Sequence, residues 1–73
     1  MAKVPSFRIV KVLACLKDHE GMKKLVTLTE WSGRKAKMDI RWWLADGRPG
    51  KGVTFDDEEA AALLAVLKKA LKN

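Results

Sequence analysis

Between Ala36 and Leu44 the chain alternates with a period of two. Met38, Ile40, Trp42 and Leu44 fall on one parity; Lys37, Asp39, Arg41 and Trp43 fall on the other. Successive side chains of a strand point to opposite faces, so this segment predicts a strand over 36–44. The first set reads as core and the second as a basic face bearing a large aromatic. Lys23–Trp31 behaves similarly: Val26 and Leu28 alternate with Thr27 and Thr29, and β-branched residues prevail, which predicts a strand over 23–31. Ser32-Gly33-Arg34-Lys35 between the two is turn chemistry.

The segment 7–17 fits two templates. Ile9, Val12, Leu13 and Leu16 form a helical stripe, whereas the β-branched content and the turn signal at Asp18-His19-Glu20-Gly21 favour a strand, the reading adopted here. Ala45–Gly50 is a second turn region, and 51–55 is a short fourth strand. A helix follows over 57–72. Asp56 is a natural N-cap, with Glu59 placed to complete a capping box. Acids Asp57, Glu58 and Glu59 occupy the first turn, and Lys68, Lys69 and Lys72 the last, as the helix dipole favours. Residues 1–6 read as a loose tail, and 7–73 as a single domain.

These elements predict an α+β fold, a four-stranded antiparallel meander followed by one C-terminal helix. One helix covers only part of one sheet face. The helix stripe of Ala60, Leu63, Leu64, Leu67 and Leu71 is widened by Val66 and Ala70. Leu63, Leu64, Val66, Leu67, Ala70 and Leu71 are therefore the expected interface of a homodimer, in which a second subunit supplies the area that 73 residues lack.

Composition narrows the chemistry. One cysteine, Cys15, excludes an internal disulfide, and with one histidine, His19, a four-ligand zinc site is not expected. No phosphate-cradling glycine loop and no nucleophile–base pair is present, so neither a cofactor nor catalysis is expected. The acidic run 56–59 reads as helix capping rather than as a metal site. The longest apolar run, Ala60 to Leu67, is too short to span a bilayer, and no signal peptide is visible, so a cytoplasmic location is expected.

Charge supplies the functional hint. Residues 1–55 hold twelve bases and five acids, a net +7, while residues 56–73 hold three bases and four acids, a net −1. A positive field of this kind attracts polyanions. Within it, Trp31 precedes Arg34, Lys35 and Lys37, and Trp43 shares a face with Lys37 and Arg41. Flat rings among cations suit unpaired bases, because every base has a π-face and duplex DNA hides it.

The D-I-R triplet of Asp39-Ile40-Arg41, the aromatic strand end after it, and the block Pro49-Gly50-Lys51-Gly52-Val53-Thr54-Phe55 before an acid-started helix resemble the transcriptional coactivator family called positive cofactor four. The likeness is to its short bacterial members of the YdbC type, and it covers roughly Phe7 to Leu71. The resemblance implies a curved sheet, dimerisation through helix and sheet, and single-stranded DNA lying across the sheets. By position, Trp31 matches an aromatic that packs on bases, and Arg41 a phosphate- or base-contacting arginine. Lys24, Lys35, Lys37 and Lys51 match basic positions of the family. Leu44 stands where eukaryotic members carry an aromatic, and Trp43 is a candidate for that role. The serine-rich regulatory tail of eukaryotic members is missing from the six residues before the first strand.

The expected function is therefore single-stranded DNA binding with little sequence specificity, in transcription regulation, replication or repair. A bacterial protein of this kind would be nucleoid-associated. Single-stranded RNA as ligand, and a protein-interaction module that recruits transcription or replication proteins, stay open as alternatives.

Overall fold

The computed structural model describes residues 6–72. The expected tail lies outside the described residues except for Ser6, as does Asn73. The fold is α+β: β1 (Phe7–His19), β2 (Met22–Trp31), β3 (Lys37–Trp43) and β4 (Pro49–Phe55) form one antiparallel sheet in the order β1-β2-β3-β4, and α1 (Asp57–Leu71) follows. β4 starts two residues before the expected strand, at Pro49. β3 ends at Trp43, which leaves Leu44 in the turn, where its N–H donates to the Arg48 carbonyl at 2.8 Å.

Local chemistry sets the hairpins. Glu20 and Gly21 join β1 to β2 with φ of 53° and 81°, and Ser32 and Gly33 follow β2 with φ of 51° and 74°. Positive φ at both central residues is the signature of the primed turns that match strand twist. The Arg34 N–H closes the second turn on the Trp31 carbonyl at 2.9 Å. At the helix start, the Glu59 N–H donates to Asp56 Oδ1 at 2.7 Å and the Asp56 N–H donates to Glu59 Oε1 at 3.0 Å, a complete capping box.

β1 is a strand throughout, and its pairing explains why its sequence looked helical. The register against β2 slips between Ile9 and Lys11, between Val12 and Ala14, and between Cys15 and Lys17. Val10, Leu13 and Leu16 are the extra residues, one every third position. A bulged strand repeats its faces every three residues, so Phe7, Ile9, Val12 and Cys15 oppose Trp31, Thr29, Thr27 and Leu25 on one face. Bulges also bend a strand and increase its twist. On β1 and β2, Arg8 forms a fork on Glu30 at 3.0 and 3.1 Å; this raises the Arg8 pKa and holds the Glu30 carboxyl below its ordinary value, both chiefly through the side-chain hydrogen bonds.

The two sheet faces are unlike each other. Val26, Met38 and Ile40 face α1 across an open apolar groove of about 490 Å³, with Leu16 on one wall and Leu63, Leu64 and Leu67 on the other. No residue of α1 is buried. The deepest burial lies on the opposite face, where Thr27, Thr29 and Asp39 are 0% exposed and Trp43 is 6% exposed. This corrects the expected core. Met38 and Ile40 do turn toward the helix, but they are half-buried, as is Trp42. The polar parity became the interior because the bulged sheet curls toward that face and brings its own side chains together.

Candidate nucleic-acid interface

The aromatic face is built from cross-strand register. Phe7 opposes Trp31, Thr27 opposes Asp39, and Asp39 opposes Thr54. The Thr27 and Thr29 hydroxyls bond each other at 2.7 Å. Thr54 Oγ1 donates to Asp39 Oδ2 at 2.7 Å, and Arg41 donates from Nε to Oδ1 at 2.7 Å and from Nη2 to Oδ2 at 2.8 Å. Arg41 Nη1 reaches the Gly50 carbonyl at 3.1 Å. Glycine is required beside it: a Cβ on Gly52, the partner of Arg41 across the ladder, would lie 1.9 Å from Arg41 Cβ and 2.5 Å from its Cα.

Three rings gather on this face. Phe7 is 5.7 Å from Trp31 and 5.1 Å from Trp43 by centroid, and the two indoles stack at 6.3 Å, 10° from parallel. The Arg41 guanidinium lies 4.5 Å from the Trp31 ring centre. Both indole N–H groups are buried without a hydrogen-bond partner.

Beside this cluster is an open pocket of about 210 Å³ lined by Trp31, Arg34, Lys35, Lys37 and Thr54. Four of these were expected from the sequence, and the turn after β2 brings them together. Arg34, Lys35 and Lys37 are exposed, and among the described residues none makes an ion pair. A cationic pocket with one indole in its wall can take phosphate oxygens and a flat ring together.

Other expected residues lie elsewhere. Lys24 sits on the helix-bearing face, its ammonium 5.1 Å from the Trp42 ring, because it pairs with Trp42 in the β2–β3 register. Lys24 is thus separate from the pocket. Among the described residues Trp43 is the one buried hydrophobic side chain, so the expected exposed stacking ring is instead the inner wall of the cluster. Lys51 is exposed on β4 outside the pocket. Of the expected interface residues, Leu63, Leu64 and Leu67 line the groove against the sheet, while Val66, Ala70 and Leu71 are exposed outside it.

Sequence reasoning missed Phe7, Thr54 and Asp39 as parts of this site. Phe7 arrives through the bulged register, which no periodicity of two reveals. Thr54 and Asp39 carry a signal that could have been read, a carboxylate and a hydroxyl at matching positions of adjacent strands. Among the described residues no group of three or more His, Cys, Asp or Glu could hold a metal ion, and no helix is long and apolar enough to cross a membrane. No protein-family model matches the chain, and neither does any curated protein.

Proposed function

We propose that this protein binds single-stranded DNA with little sequence preference, as a homodimer, and works on exposed strands during transcription, replication or repair inside the cell. The observation that carries this reading is the pocket in which Trp31 stands among three exposed cations, Arg34, Lys35 and Lys37. Cations capture the backbone, and a base then stacks on the indole. Each stacked base contributes about 1–3 kcal/mol whatever its identity. The resemblance to the positive cofactor four family points to the same ligand.

The dimer has its own support. Leu64, Val66, Leu67 and Leu71 of α1 and Val10, Leu13 and Leu16 of β1 are all exposed in the single chain, Leu71 at 78%. So much apolar surface on so small a domain is a site for association. A second copy seated on α1 and β1 would cover it.

Tryptophan fluorescence during titration with an oligothymidine, and then with a duplex of equal length at two salt concentrations, tests the reading. Strong quenching by the single strand with weaker duplex binding is the expected result. Equal or tighter duplex binding overturns it.

A further inference from the structure

We propose that Asp39 and Arg41 act as one neutral unit that positions the Trp31 ring, and that Arg41 is not a phosphate ligand; this rests on the single-strand reading above. The arrangement is unlike that of a free cation. A guanidinium carries five N–H donors. Three are committed inside the protein, two to Asp39 and one to the Gly50 carbonyl. The Asp39 carboxylate is fully buried and takes a third donor from Thr54. Its charge and that of Arg41 cancel at 2.7 Å, in the fork geometry that binds carboxylates most tightly.

A phosphate that drew Arg41 away would leave a buried carboxylate short of two donors, which is strongly unfavourable. Three exposed cations next to the same indole make no such bond among the described residues, and they are the cheaper partners for a backbone. What Arg41 does offer is a rigid plane 4.5 Å from the Trp31 ring centre. Cation–π attraction holds the indole over that plane. Arg41 is anchored by Asp39, Asp39 by Thr54, and Gly52 leaves the space for the guanidinium stem. The unit fixes one side of Trp31, and the ring lines the pocket with the remainder.

The assignment makes opposite predictions from a phosphate-ligand role. Arg41→Lys keeps the charge but loses the planar fork. A positioning unit predicts at least about a fivefold loss of oligothymidine affinity, the low end of one lost base stack, with an unchanged slope of log affinity on log salt. A phosphate ligand predicts near-native binding for Arg41→Lys and, for Arg41→Gln, a slope shallower by about 0.7. Asp39→Asn frees the cation, so a phosphate ligand predicts tighter binding, and a positioning unit predicts weaker binding.

The experiment is oligothymidine titration of the full-length protein and the three variants at several salt concentrations, with thermal melts. Near-ultraviolet circular dichroism of the free proteins accompanies it. The stacked Trp31–Trp43 pair should give a coupled signal that Arg41→Lys diminishes. Weakened Arg41→Lys with native slope and reduced coupling is the expected result. Native affinity in Arg41→Lys, or tightening in Asp39→Asn, overturns the proposal. If Asp39→Asn does not fold, the two Arg41 variants decide. If wild type does not bind the strand, the single-strand reading fails on its own; the free-protein signal then judges the unit, and full coupling in Arg41→Lys overturns it.

Discussion

The indoles of Trp31 and Trp43 lie 6.3 Å apart and 10° from parallel, although they end adjacent antiparallel strands at opposite edges of the ladder. Trp43 opposes Lys23, eight residues before Trp31 on β2. In a flat sheet that offset is about 26 Å. Their stacking therefore measures how far the sheet curls, and it divides labour between the two rings. Trp43 is interior, and Trp31 reaches the pocket.

That division predicts separable failures. Trp43→Ala removes a buried aromatic and should cost about 3–5 kcal/mol of stability, read as a fall in the thermal midpoint. Trp31→Ala should lose oligothymidine affinity by about five- to a hundredfold, one base stack, while destabilising the fold less than Trp43→Ala. Equal loss of stability in both variants would mean that Trp31 is only core.

Charge should divide in the same way. Lys35→Gln and Lys37→Gln remove exposed cations from the pocket. Each should make the salt slope shallower by about 0.7 for the phosphate it no longer neutralises. Lys24→Gln, on the other face beside Trp42, should leave the slope where it was. A slope that responds to Lys24 and ignores Lys35 and Lys37 would place the strand on the helix-bearing side.

Glycine tolerance tests the curl. Gly52→Ala puts a Cβ into the Arg41 backbone at 2.5 Å, a neighbour that cannot swing aside, and should abolish the cooperative melt. Gly33→Ala meets open space and only a positive φ of 74°, so it should cost about 1–2 kcal/mol. A native-like Gly52→Ala would show that β3 and β4 can part there without loss.

These positions also show what was legible beforehand. The helix and its capping box were readable because Asp56 and Glu59 act over three residues. The pocket was largely readable because Trp31, Arg34, Lys35 and Lys37 are consecutive enough for one turn to gather them. The buried face was not. Alternation places Thr27, Thr29 and Asp39 on the polar parity, yet they are 0% exposed, because the sheet, bulged three times along β1, closes toward that face. Bulges also gave β1 its helix-like spacing.

The assembly is tested at Leu67. In the single chain this side chain is 46% exposed on the wall of the apolar groove. A monomer would carry an aspartate there at small cost, since the carboxylate keeps its water. In a dimer seated on α1 the same charge would be stripped of water without a partner, which is strongly unfavourable. Leu67→Asp should therefore dissociate the dimer and lower the melting midpoint together, and the midpoint of wild type should rise with protein concentration. Analytical ultracentrifugation beside the melts reads both. A dimeric wild type that becomes a stable, folded monomer on Leu67→Asp would mean that association covers the helix without supporting the core. A monomeric wild type would leave α1 facing water.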